Sequence, residues 1–61
     1  MSELQRLAKS YRSRAEELRM LAGMDRCEQT CRMLVCVAYN YEQMAASADA
    51  IERSYRRMHL N

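Results

Sequence analysis

One glycine and no proline in 61 residues leave this chain a single obvious place to interrupt a helix. Proline removes a backbone donor and clashes with the preceding turn, and glycine costs about 1 kcal/mol in a helix interior relative to alanine. Everything else favours helix. Ala, Leu, Met, Arg and Glu recur throughout, Phe and Trp are absent, and β-branched residues are few, so strands would be hard to build. The sequence predicts an all-α fold, an antiparallel two-helix hairpin in one domain. Helix one covers about 3–22, the turn 23–25, and a longer helix two about 26–57. Gly23 is expected at the left-handed position that closes a helix, where a β-branched substitution such as Gly23→Val would be costly.

The apolar spacing supports both helices. Ser2-Glu3-Leu4-Gln5 has the form of a capping box. Leu4, Leu7, Ala8, Tyr11, Ala15, Leu18, Leu21 and Ala22 then follow at intervals of three and four, an amphipathic stripe. In heptad letters, Leu4, Tyr11 and Leu18 take a; Leu7, Arg14 and Leu21 take d; Ala8, Ala15 and Ala22 take e. Asp25 and Glu28 form a second capping-box candidate. Beyond it, Cys27, Leu34, Tyr41, Ala48 and Tyr55 take a; Thr30, Val37, Met44, Ile51 and Met58 take d; Cys31, Ala38 and Ala45 take e. The expected seam is one of large a and d side chains flanked by small e residues. Folding back at Gly23 would pair Leu18 with the Cys31 region, Tyr11 with Ala38, and Leu4 with Met44 or Ala45.

Two features point to further association. At about 1.5 Å per residue the helices are roughly 30 and 48 Å long, so helix two outruns its partner from about Ala48. Yet Ile51, Tyr55 and Met58 continue the apolar stripe. Met33 to Tyr39 is apolar on every side, as befits a helix covered on more than one face. A domain this small buries only about 60% of its unfolded surface and gains from a second copy or partner. The expected contact residues are Met33, Cys36, Tyr39, Ile51, Tyr55 and Met58. The simplest closed arrangement is a homodimer making a four-helix bundle.

The chemistry-bearing residues are sparse. Cys27 and Cys31 share a helical face, but Cys36 lies well around the helix and His59 is roughly 40 Å from Cys31, so no four-ligand zinc set forms within one chain. His59 is the only histidine, and no nucleophile–base pair or glycine-rich phosphate loop can be assembled. The expectation is a non-enzymatic protein with no cofactor and free thiols. Net charge is +2, with nine arginines and one lysine against eight acids, too mild for a dedicated nucleic-acid binder. Arg6, Lys9, Arg12 and Arg19 would form the basic face of such a protein, with Glu16 partly neutralising it. Arg14, at a d position, is expected to lay its stem along the core and turn its head to solvent. The first segment is polar and no apolar run approaches membrane-spanning length, which suggests a cytoplasmic protein without membrane insertion.

Tyr11-Arg12-Ser13-Arg14-Ala15-Glu16-Glu17-Leu18-Arg19, followed by Ala22, Asp25, Arg32, Leu34, Ala38, Tyr41-Glu42 and Ala45, resembles a family of short uncharacterised helical-hairpin proteins of alphaproteobacteria. That family has a Y-R-x-R-A-E-E-L-R core and an A-x-x-Y-E-x-x-A second helix. The resemblance covers about residues 8–48 and implies the hairpin fold without an activity. The three cysteines and the C-terminal extension depart from the pattern.

Together these features favour a small structural or interaction protein, a homo-oligomer or accessory subunit of a larger assembly, acting through helix–helix contacts. The alternatives are an RNA- or DNA-binding regulator, similar to the plasmid protein Rop in size and topology only, and a thiol metal site between subunits.

Overall fold

The computed structural model describes residues 2–60. It contains two helices, α1 (Glu3–Met24) and α2 (Glu28–Leu60), packed along each other as an antiparallel hairpin. Its Cα extents are 53 × 16 × 10 Å. The rod is thus one helix thick, and each helix has a neighbour on one side only.

Helix α1 starts as the capping box predicts. The Ser2 side chain accepts from the Gln5 backbone N–H at 3.1 Å, and the Gln5 side chain accepts from the Ser2 backbone N–H at 3.1 Å. Its end differs from expectation. Gly23 stays helical, with no positive φ, and the helix runs on to Met24. Asp25 closes it in extended conformation, φ −82° and ψ 140°, while its backbone N–H donates to the Leu21 carbonyl at 3.1 Å. The Asp25 carboxylate accepts from the Cys27 backbone N–H at 2.7 Å, an Asx turn rather than a capping box with Glu28. One short carboxylate thus makes the reversal that was assigned to the glycine. The turn is 25–27 instead of 23–25, and α2 begins at Glu28 and continues to Leu60 instead of ending near Arg57.

Moving the hinge changes the pairing. Ala8 packs with Ala45 and Ala48 in one buried cluster, against which Leu4 and Tyr11 lean. The Tyr11 and Tyr41 rings lie 5.8 Å apart. Arg12 pairs with Asp49. Tyr11 was expected beside Ala38 and Leu4 beside Met44 or Ala45; Leu4 does lean on the cluster that holds Ala45, but Tyr11 meets Tyr41, so α1 lies further along α2 than expected. Continuing this register by one turn brings Glu52 level with the first turn of α1. Glu52 is buried there and ion-paired with Arg56 at 3.1 Å. A carboxylate at that level is favoured by the positive end of the α1 dipole. The uncovered part of α2 therefore starts after Glu52, about one turn later than the sequence suggests.

The centre of the seam is also different. The buried apolar residues are all alanines: Ala8, Ala15, Ala22, Ala38, Ala45 and Ala48. Five of the six are e positions. The large a residues Leu4, Tyr11, Leu18, Leu34 and Tyr41 are half-buried beside them, and the large d residues lie outside the seam. Alanine at the contact lets two axes approach the short end of the usual range of about 8–10 Å. Close approach aligns the e and a stripe with the partner helix and rotates d outward.

Candidate functional site

That rotation gives the hairpin two unlike edges. On one edge the b positions of the two helices meet. Arg12 pairs with Asp49, and the Arg19 guanidinium donates twice to Glu42, at 2.7 and 3.2 Å. The bidentate contact holds the Glu42 carboxyl below its ordinary value, chiefly through its hydrogen bond with Arg19, with desolvation opposing and the charge of Arg19 adding to it, and it raises Arg19 in turn. Sequence reasoning placed Arg12 and Arg19 against Glu16; both arginines reach across the hairpin instead.

With b positions meeting on one edge and a and e between the helices, the d positions of both helices fall on the opposite edge. An antiparallel pair is related by a pseudo-two-fold normal to the plane of its axes, which keeps equivalent positions on the same side. This edge carries Leu7, Leu21, Val37, Met44, Ile51 and Met58, all exposed. Met24 and Met33, at the adjoining g positions near the turn, are 76% and 63% exposed. The one charged d residue is Arg14, whose head is solvent-exposed and lies 3.5 Å from Glu17. Its stem is not laid along a core, because no core lies beneath the d positions.

The expected contact residues separate into two groups. Met33, Ile51, Tyr55 and Met58 lie along or beside the d edge, with Met58 74% exposed. Tyr55 stacks on His59 with ring centroids 4.0 Å apart. Cys36 and Tyr39 sit away from this edge, on the outer side of α2, where with Val35, Cys31, Arg19 and Arg32 they border an open groove of about 480 Å³. Leu7, Leu21, Val37 and Met44 were read as core and are exposed instead. Their d spacing was visible in the sequence, but nothing in it says that alanine will take the centre of the seam.

The thiols have separate surroundings. Cys27 is exposed at the start of α2, where the Thr30 side chain, then the backbone N–H groups of Thr30 and Gln29, hold it below its ordinary value. The Cys31 sulfur lies 3.0 Å from the Ala22 carbonyl and 3.2 Å from that of Asp25, so its one proton serves the unpaired end of α1. Cys36 is exposed. Among the described residues no three His, Cys, Asp or Glu side chains are grouped to hold a metal ion. No helix among them is long and apolar enough to cross a membrane. Comparison with protein families, curated proteins and solved structures finds no match to the chain.

Proposed function

We propose that this chain is a small non-enzymatic interaction protein that works through helix–helix contacts, and that its d edge is the contact surface of a homo-oligomer. The observation that carries this reading is the row of exposed large apolar side chains along one edge of a rod one helix thick. Large apolar side chains scattered singly on a surface need no explanation; a contiguous row of them does. Nine such residues at roughly half exposure offer on the order of 1,000 Å², above the about 800 Å² per partner of a standard interface. The d edge stands opposite the ion-paired edge, so association would leave the Arg12–Asp49 and Arg19–Glu42 pairs in water.

The nucleic-acid reading draws less support. Arg12 and Arg19, half of the basic face it needs, are engaged by Asp49 and Glu42. The test is size measurement of the full chain beside two double variants. Ile51→Asp with Met58→Asp is expected to abolish association. Arg53→Asp with Arg57→Asp, which changes charge off the d edge, is expected to weaken it far less. If the arginine pair is the damaging one and binding to nucleic acid falls steeply with salt, the reading is wrong.

A further inference from the structure

The d edge is not uniform, and its asymmetry says how a second copy would sit. Along α2, every a, d and g position from Cys27 to Met58 is uncharged. The charged residues Glu28, Arg32, Glu42, Asp49, Arg53, Arg56 and Arg57 all fall at b, c or f, and Glu52 at e lies under the start of α1. The matching strip of α1 is broken by Arg14 and Glu17. Viewed down α2, the a and e positions face α1, while d and g face about 110° away. That is close to the angle between two neighbours of one helix in a four-helix bundle.

We infer that α2 packs on α2 of a second copy through its d and g strip, antiparallel, with the two-fold axis near Met44. This rests on the self-association proposed above and specifies its geometry. Met44 is the middle of the five d positions, so an axis there sets Val37 against Ile51 of the other copy and Thr30 against Met58. The part of α2 that α1 leaves uncovered then lies over the turn end of the other copy. There Met33 and, on α1, Leu21 and Met24 stand exposed. Each molecule carries two uncovered apolar regions at opposite ends, and only an antiparallel pairing sets one against the other.

Charge favours the same orientation. A parallel pairing would gather Arg53, Arg56 and Arg57 of both copies at one end and align the two α2 dipoles. The antiparallel pairing sets that basic end beside the start of α2, where Asp25 and Glu28 balance Arg26 and Arg32. Asn40 and Ser47, at facing g positions, can hydrogen-bond across the axis.

The experiment is cross-linking of the full chain with a short bismaleimide. The natural cysteines are replaced (Cys27→Ser, Cys31→Ala, Cys36→Ser) and single thiols introduced at Met44→Cys or Met58→Cys. If the cysteine-free chain loses helicity, Cys31 is kept and the same chain without an added thiol is the control. In the antiparallel pair the two residue-58 positions are about 42 Å apart, so Met44→Cys should give about tenfold or more covalent dimer than Met58→Cys. Mixing Thr30→Cys with Met58→Cys chains should restore the cross-link. Equal cross-linking of Met44→Cys and Met58→Cys overturns the antiparallel geometry in favour of a parallel one. A dimer by sedimentation that neither thiol cross-links overturns the α2–α2 contact. A monomer by sedimentation overturns the self-association on which both depend.

Discussion

The two edges of the hairpin are built from the same two helices in the same register and have opposite chemistry. At the b edge, Arg12 with Asp49 and Arg19 with Glu42 join α1 to α2 across the seam. At the d edge no ion pair joins the helices among the described residues, and Leu7, Leu21, Val37, Met44, Ile51 and Met58 are exposed. The difference teaches where each kind of free energy is available. Exposed ion pairs contribute little, about 0–1 kcal/mol, but they favour one register. Apolar side chains contribute about 1.5–3 kcal/mol each, and only when something covers them. The charges of the b edge are paired within one chain; the apolar side chains of the d edge are left exposed by it.

The sharpest way to break the comparison is to fill the seam that separates the edges. Ala45 is fully buried against Ala8. Ala45→Leu must push the helices apart, at a cost of about 1–3 kcal/mol or more, because overpacking a close seam forces backbone shifts. In a chain this small that should appear as a large loss of ellipticity. Unchanged helicity and melting would mean that alanine is not the centre of the seam.

Charging the d edge should come next. Ile51→Asp with Met58→Asp removes two apolar contacts and adds two charges, which should weaken association by at least about a hundredfold. The hairpin up to Glu52 should still be able to pair. Sedimentation across a concentration series reads the change.

A smaller effect, of opposite sign, is expected at Gly23. It is helical, and a Cβ built there meets nothing within 4 Å. Gly23→Ala should therefore stabilise by about 0.5–1 kcal/mol, visible as a higher thermal midpoint. A lower midpoint would restore the left-handed cap that the sequence suggested.

The smallest effect belongs to the b edge. Arg19 lowers the Glu42 carboxyl, so the contact contributes above the ordinary carboxylate range and is lost as pH falls through the lowered folded value. Glu42→Gln should leave stability nearly unchanged near neutrality and flatten the acid limb of the melting profile. A large loss at neutral pH would show that the b edge carries more than register.

The two helices, their order and their antiparallel return were legible from heptad spacing and the scarcity of breakers. The hinge was not. A glycine inside a helix costs only about 1 kcal/mol, so it permits a break without requiring one, whereas the Asp25 carboxylate makes the turn by accepting from Cys27. The seam was half legible. Periodicity marks a stripe spanning d, a and e but does not say which position is central, and alanine wins by allowing close approach. The exposure of Met58 was readable because it outruns any α1 of that length; Ile51, level with α1, is exposed because it stands at d. Leu7, Leu21, Val37 and Met44 were hidden by the assumption that large residues fill the middle. Arg12 and Arg19 were paired locally in the sequence reading because a one-dimensional view sees only neighbours three and four apart.

The central claim is that the d edge is covered by a second copy of the chain. Sedimentation equilibrium of the 61-residue chain at micromolar concentration tests it most directly. The chain mass is 7.2 kDa. The account predicts a fully helical species of about twice that mass, dissociating reversibly on dilution with loss of helicity. A stable, fully helical 7.2 kDa monomer under the same conditions would contradict it.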